Sequence, residues 1–137
     1  SLVIDVGTAT TFDVVTETGG YEGGIIVPGP QGFLDFLNQN TALLPKVNIQ
    51  EHLPHAVIGK ETRQAMLIGA KLGHTAMKEG LISHLSKEIE LQFLKKPKLI
   101  LTGGASTQTN ISNIEHRPDL TIFGLALAFQ FKETNRK

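Results

Sequence analysis

The residues of this chain best suited to chemistry lie near its start, in the run Asp5-Val6-Gly7-Thr8-Ala9-Thr10-Thr11-Phe12-Asp13. Gly7 has no side chain, so the backbone there can approach a ligand closely. Thr8, Thr10 and Thr11 offer amides and hydroxyls that can hold phosphate oxygens. The run therefore predicts a turn that binds the phosphates of a nucleotide.

Two carboxylates in the same run favour a cation beside those phosphates. Asp5 and Asp13 would repel a phosphate unless a cation lies between them or they orient a nucleophile, and a cation is the simpler explanation. The alternative is a tight hairpin whose threonines are ordinary strand residues and whose aspartates cap turns. We favour the functional interpretation for the block from Asp5 to Thr11 and leave the role of Asp13 open.

A second glycine turn, Thr102-Gly103-Gly104-Ala105-Ser106, follows a short apolar run. Glycines admit a flat ligand, and a helix start offers free amides to an anion. Gly103 and Gly104 are therefore candidates for an anion or nucleobase platform, although a loop that needs only a positive φ has the same sequence. Because ligands gather at the carboxyl ends of strands in such sheets, this turn and the Gly7 turn are expected to share one cleft.

The segment Gly59-Lys60-Glu61-Thr62 is predicted to begin a long helix, where free amides and the helix dipole favour an anionic group. Thr62 is a candidate for binding a substrate carboxylate or hydroxyl. The alternative is a helix cap at Thr62 or a neighbour, with a solvated Lys60. Lys60 does not belong to a Gly-x-x-x-x-Gly-Lys-Ser/Thr phosphate loop.

The histidines show no metal-ligand spacing with acidic partners, so surface or structural roles are expected of them. They are His52, His55, His74, His84 and His116. Gly69 and Gly73 form a small-xxx-small step, which indicates close packing against another element or a second subunit.

The elements that must position these residues follow from hydrophobic periodicity. Apolar and β-branched runs predict strands over residues 2–6, 10–16 and 21–27, joined in a meander, and a later strand over 98–101. Helices are predicted over about 33–40, over 61–90 with a bend at Gly80, after the Gly103 turn, and over 120–132. The prolines of residues 44–58 predict a loop. This order predicts an α/β fold, with a mixed sheet that begins as a three-stranded antiparallel meander and has helices packed on it.

Composition excludes several classes of function. With 13 basic and 13 acidic residues among 137, the formal net charge is +0, so neither nucleic acid nor an anionic membrane is an expected partner. The chain has no cysteine, which excludes disulfides and thiolate chemistry and fits a cytoplasmic location. One domain over residues 1–137 is expected. Ser1 opens directly onto a strand, which is expected of a fragment.

The run from Ile4 to Val15 resembles the start of the second domain of type III pantothenate kinases, the Bvg accessory factor-like family. Four later segments resemble the same family in the same order, and together the motifs cover nearly the whole chain. They are Gly23-Gly24-Ile25-Ile26-Val27-Pro28-Gly29, Asn40-Thr41-Ala42-Leu43-Leu44-Pro45, Val57-Ile58-Gly59-Lys60-Glu61-Thr62 and Leu101-Thr102-Gly103-Gly104-Ala105.

The resemblance implies an actin-like ATPase or ribonuclease-H-like fold, and an enzyme that moves the ATP γ-phosphoryl group to pantothenate in the first step of coenzyme A synthesis. It also implies Mg²⁺, a monovalent cation (K⁺ or NH₄⁺) and a homodimer. Residues are assigned by position in the matching motifs. The implied residues are Gly7, Thr8, Thr10, Gly103 and Gly104 for ATP, Asp5 for potassium and Thr62 for pantothenate at the subunit interface.

Two departures from the family pattern matter. Leu43 stands where the family has a lysine. The family's first domain carries an Asp-x-Gly-Asn-Thr phosphate loop and a Gly-x-Asp-Arg segment, whose aspartate is the general base, and this chain contains neither motif. No catalytic residue is therefore expected in this chain, and it is expected to be inactive alone.

Two other functions stay open at this point. One is a non-catalytic interaction or regulatory module of the Bvg accessory factor type, although the basic features that read DNA are missing from the sequence. The other is a lobe of a related sugar or acetate kinase.

Overall fold

The computed structural model describes residues 1–52, 57–105 and 111–134. Strands and helices within these ranges follow the predicted order up to β4. They are the strands β1 (Leu2–Val6), β2 (Ala9–Thr16), β3 (Gly20–Pro28), β4 (Leu99–Thr102) and β5 (Ile114–His116), and the helices α1 (Pro30–Asn40), α2 (Thr62–Phe93) and α3 (Leu120–Thr134).

The strands form one mixed sheet in the order β3-β2-β1-β4-β5. β1 pairs antiparallel with β2 and β2 with β3, whereas β4 runs parallel to β1 and β5 parallel to β4. The predicted α/β fold, with an antiparallel meander at its start, is confirmed. β1 is the central strand and is hydrogen-bonded on both sides.

Strand β5 differs from the sequence prediction, which has a helix after the Gly103 turn. Residues 106–110 lie outside the described part of the chain, and the next described element is this strand. Three residues are too few to display the alternation by which a strand is recognised. β5 exists because it pairs with β4, in a register that runs from Leu99↔Ile114 to Leu101↔His116.

One face of the sheet packs against α2. Leu2, Ile4 and Val6 alternate along β1, are fully buried, and form a cluster with apolar residues that include Ile82 of α2. Burying each such side chain contributes about 1.5–3 kcal/mol to stability. Because strand residues two apart share a face, Asp5 lies on the face opposite α2.

A second cluster joins α1, the loop before α2 and the first turns of α2. Gln31 of α1 holds this loop, because its side chain donates a hydrogen bond to Val47 O at 3.0 Å and accepts one from Ile49 N at 2.8 Å. The buried members are Leu34, Val47, Met66, Leu67 and Ala70.

Helix α2 is continuous over its 32 residues, and Gly80, the position of the predicted bend, lies within it. Buried residues on either side, Lys78 and Ile82, keep this part of the helix against the sheet. The helix ends before Leu94, whose φ of 54° is in the left-handed region.

Helix α3 keeps its large apolar side chains in solvent, with exposed fractions from 40% to 73%. α1 and α2 pack on the sheet, but α3 buries no large apolar residue against it. Within the described residues, no helix is long and apolar enough to cross a membrane. The exposed residues of α3 are Ile122, Phe123, Leu125, Leu127, Phe129 and Phe131.

A lysine is buried in the helix–sheet interface. Lys78 of α2 has no exposed surface, and its Nζ has no hydrogen-bond partner among the residues described. Burial lowers the pKa of Lys78, and the nearby Glu79 opposes this effect only in part. An unsatisfied polar group in a core is costly, so Lys78 is expected to destabilise the fold.

The substitution Lys78→Met is expected to raise the free energy of unfolding by about 1–3 kcal/mol. The thioether keeps the length of the side chain and fills the same space, but it has no donor left unsatisfied. Urea unfolding at neutral pH measures the difference. Lys87→Met is the matched control, because Lys87 is an exposed lysine on the same helix.

The gain from Lys78→Met should also shrink as the pH rises. In the folded protein the pKa of Lys78 is lowered from its ordinary value of 10.5, so the unfolded chain binds the proton more strongly than the folded one. The stability of the parent therefore rises with pH up to about pH 10.5. Equal stabilities of Lys78→Met and the parent at neutral pH would contradict the cost assigned to the buried amine.

Candidate functional site

The hairpin tip consists of Gly7 and Thr8, which lie between β1 and β2, and Ala9, the first residue of β2. Val6↔Thr10 is the pair that closes the ladder beneath it. The Gly7 amide donates to Ala9 O at 2.9 Å, which fixes the path of the backbone. Thr8 is exposed, so its side chain is open to a ligand.

The N-terminus of α1 lies directly against this tip. Gly29 N donates to Thr8 O at 2.9 Å, and a Cβ at Gly29 would collide with Gly7 O and lie 2.7 Å from Thr8 O. Gly29 caps α1 without a side-chain hydrogen bond. Pro30 has no N–H and Gly32 N donates to Gly29 O at 2.9 Å, so it is chiefly the positive end of the helix dipole that lies beside the tip.

The hydrophobic pattern predicts that this helix begins at about residue 33, and it gives Gly29 no role in the site. The signal was present, because Pro30 after a glycine is typical of the first helical position.

The second glycine turn reaches the same end of the sheet. β4 pairs with β1 in a register that sets Thr102 beside Asp5. Gly103 has a φ of 99°, and a Cβ there would collide with Asp5 Oδ1 and Val6 O. Ala105 N donates to Val6 O at 2.9 Å. The structure thus brings the two glycine turns together around Asp5.

Asp5 is suited to a cation. Its carboxylate is half-buried beside Gly103 and has no ion-pair partner among the described residues. A carboxylate in that position is a hard oxygen ligand without a positive neighbour, and K⁺ or Mg²⁺ binds such oxygens. No group of three or more His, Cys, Asp or Glu residues gathers within ranges 1–52, 57–105 and 111–134. A cation at Asp5 would therefore need backbone carbonyls, hydroxyls or water as its other ligands.

Asp13 lies farther along the same face of the sheet, away from the tip. It accepts a hydrogen bond from Thr11 Oγ1 at 2.7 Å, and it abuts Gly24, where a Cβ would lie 3.0 Å from Asp13 Oδ1. None of the described contacts joins Asp13 to Gly103 or to the hairpin tip. The Thr11 hydroxyl therefore satisfies one oxygen of the Asp13 carboxylate, and that oxygen needs no ligand.

The Thr10 side chain lies on the opposite face of the sheet from Asp13, against α2. Its side chain has no exposed surface, and its Oγ1 lies 2.9 Å from Nε2 of the buried His74 on α2. Burial, and then the neighbouring Lys78, lower the pKa of His74, so the imidazole is uncharged at neutral pH. The structure does not bring the Thr10 hydroxyl to the open side of the tip, and any contact between Thr10 and a nucleotide would use its backbone.

Thr62 is the first residue of α2 and is exposed. It does not cap the helix, because Glu61 is the N-cap residue and no side chain there makes a capping bond. Twelve residues of helix, about 18 Å, separate Thr62 from His74. None of the described contacts joins Thr62 to the hairpin tip.

An ion pair orders the chain around the start of α2. Arg63 donates to both carboxylate oxygens of Glu51 at 2.7 and 2.8 Å, and Lys71 donates to Glu51 O at 3.0 Å. The backbone N–H of Asn48 and the Arg63 guanidinium hold the pKa of Glu51 below its usual range. These contacts tie the preceding loop to the helix that carries Thr62.

Two other residues singled out in the sequence stay open to solvent. Gly104 is exposed, and a Cβ there would have no atom within 4 Å. Leu43, at the position where the family has a lysine, is 92% exposed. Neither contributes a contact to the core.

A surface cavity of about 530 Å³ lies at the other end of the sheet, between the β2–β3 turn and the segment before β4. Its lining includes Thr16, Lys96 and Lys98 and none of the residues predicted for the site. The candidate site is therefore recognised by the backbone segments that converge around Asp5 and not by the volume of a cavity.

Comparison with known proteins identifies relatives over most of the chain. The family model described as type III pantothenate kinase matches residues 1–84. A type III pantothenate kinase of Rhizorhabdus wittichii is 40% identical over 136 residues, which are 97% of this chain and 51% of that protein. One from Acidiphilium cryptum is 45% identical over 129 residues, 92% of this chain and 46% of that protein. The chain spans about half the length of the curated relatives it matches.

A solved structure is similar as well. A protein described as a Baf family transcriptional activator, from Campylobacter jejuni, aligns with a TM-score of 0.54 over 98% of this chain and 59% of that chain, at 20% identity. At this identity the likeness concerns the fold, and it agrees with the mixed sheet.

The close approach of the second glycine turn gives a test of the site. Gly103→Ala is expected to lower the free energy of unfolding by about 1–3 kcal/mol, because the left-handed φ strains alanine and its Cβ collides with Asp5 and Val6. Gly104→Ala is the matched control and should change stability by less than about 0.5 kcal/mol. Denaturant unfolding of both variants measures the difference, and equal effects would show that the contact with Asp5 is not tight.

Proposed function

The chain belongs to the family of type III pantothenate kinases, and from that premise we propose that it forms part of an enzyme that phosphorylates pantothenate with ATP in the first step of coenzyme A biosynthesis. In this proposal the chain supplies a nucleotide turn, a cation site, a pantothenate contact and a dimer face. The observation that carries it is the convergence of the hairpin tip, the N-terminus of α1 and Gly103 around Asp5, whose carboxylate has no ion-pair partner in the part of the chain that the structure describes.

The hairpin tip is the proposed phosphate site. Gly7 leaves the backbone accessible, the Thr8 hydroxyl is exposed, and the α1 N-terminus adds partial positive charge beside them. Phosphoryl transfer depends mainly on positioning the phosphates and neutralising their charge. Fixed dipoles and amides of this kind serve both purposes without a covalent step.

Asp5 is the proposed ligand of a monovalent cation. A bound K⁺ supplies positive charge next to the phosphates, and Mg²⁺ accompanies ATP as in other kinases. Asp5 holds that charge in place because its carboxylate is fixed between β1 and the Gly103 turn. The proton acceptor for the pantothenate hydroxyl is not proposed in this chain, since its sequence has no Gly-x-Asp-Arg segment.

Gly103 and Gly104 are the proposed support for the nucleobase. Gly104 is exposed and has open space above its Cα, which suits a flat aromatic ring. Gly103 sets the distance between this surface and the phosphate turn through its contact with Asp5.

The proposed dimer face is a stripe of small residues on α2. Added Cβ atoms at Gly69, Gly73 and Gly80 would meet nothing within 4 Å, so a second helix could approach the backbone closely. Ala65 is exposed in the same stripe, and Thr62 lies one turn before it on the same side of the helix. A second copy seated on this stripe would also cover Thr62, which supports a pantothenate contact at the subunit interface.

The test uses a chimera of this chain with the part of the Rhizorhabdus wittichii relative that the chain does not cover. Phosphorylation of pantothenate by this chimera should require K⁺ or NH₄⁺. Asp5→Asn should abolish the stimulation by K⁺ and lower kcat/KM at least about tenfold, because the amide holds a cation poorly. Glu17→Gln, at an exposed carboxylate at the other end of the sheet, is the control.

Asp5→Asn activity equal to that of the parent at saturating K⁺ would remove the cation role from Asp5. A chimera that folds and binds no ATP would contradict the kinase proposal itself.

Thr62→Val should raise the KM for pantothenate about tenfold and leave the KM for ATP unchanged, because it removes one hydroxyl from a site remote from the tip. Thr121→Val, in the first turn of α3, is the matched control. Steady-state kinetics with each substrate varied in turn measures both constants. A rise in the KM for ATP alone would place Thr62 with the nucleotide.

A further inference from the structure

The pair that closes the hairpin tip is held from below by α2. Thr10 directly follows the tip, and its buried hydroxyl lies 2.9 Å from His74 Nε2. His74 is only 2% exposed, so water does not compete for this bond. A hydroxyl both donates and accepts, and an uncharged imidazole has one donor and one acceptor, so the bond forms with either tautomer.

His74 also contacts α1, the other element that supports the tip. The ring of Phe33 packs edge to face against the His74 ring, with centroids 6.3 Å apart and planes at 80°. α1 in turn holds the tip through the bond from Gly29 N to Thr8 O. One imidazole thus touches both β2 and α1, the two elements that fix the position of Thr8.

We propose that His74 is a positioning residue for the nucleotide, which acts through Thr10 and Phe33 to hold the hairpin tip in its phosphate-binding geometry. The proposal rests on the function proposed above. His74 is remote from the ligand itself, because Thr10 and the backbone of the tip lie between them. Its loss should therefore loosen the tip without removing any group that touches substrate.

The kinetic test uses the same chimera. Thr10→Val keeps the shape of the side chain and removes the hydroxyl, and His74→Phe keeps the ring contact with Phe33 and removes the nitrogen. Each should raise the KM for ATP about tenfold and leave the KM for pantothenate within about twofold. The double variant should be no worse than either single variant, because the two residues act through one bond.

Two further variants separate positioning from simple destabilisation. Thr10→Ser restores a hydroxyl and should recover the KM for ATP of the parent. His84→Phe makes the same substitution at an exposed histidine of α2 and should have no effect. If His74→Phe fails to fold, His74→Leu, which also removes the nitrogen, takes its place in the series.

A second readout does not depend on catalysis. Amide hydrogen exchange over residues 7–11 of the 137-residue chain should be faster in Thr10→Val and His74→Phe than in the parent, and should return to the parental rate in Thr10→Ser. Unchanged exchange and an unchanged KM for ATP in both folded variants would overturn the proposal. Faster exchange in a chimera that phosphorylates nothing would leave the role of His74 in the tip intact and contradict the kinase function instead.

Discussion

The alternation of side chains along β1 is the constraint on which the rest of the structure depends. Leu2, Ile4 and Val6 are fully buried against α2, and this fixes the opposite direction for Asp5. Because the period of a strand is two, a slip of one residue would drive the carboxylate into the core and three aliphatic side chains out of it. The position of Asp5 at the site is thus set by hydrophobic burial on the other side of the sheet.

The second constraint is that two positions must be glycine, which has no Cβ. At the tip and beside Asp5, Gly29 and Gly103 allow backbone to come so close that a Cβ would collide with a carbonyl oxygen. Each contact comes from a different part of the chain, one from the start of α1 and one from the end of β4. The site is therefore assembled from backbone groups whose geometry is rigid, which is the property that a phosphate site needs.

The sequence predicted those parts of the arrangement that depend on residues close together in the chain, and not those that depend on contacts between distant residues. Long alternating or helical patterns such as β2 and α2 carry their own signal, and the two glycine turns follow directly from strands. β5 depends on pairing with β4, and the burial of Thr10 depends on His74, sixty-four positions away. Periodicity could not predict that the apolar side chains of α3 are exposed, because a pattern shows that side chains are apolar but not what they contact.

Charge at the tip is the physical reason that the proposed nucleotide would need the proposed cation beside it. The nucleotide would bring several negative charges to a place where the chain already has the Asp5 carboxylate. Arg117, which follows β5 at the same end of the sheet, is engaged with Glu115 at 3.3 Å and Asp119 at 3.6 Å. The N-terminus of α1 offers only about half an elementary charge. Dipoles of that size cannot offset a carboxylate and a polyphosphate together, so in the proposed site Asp5 would favour nucleotide binding only when a cation neutralises it.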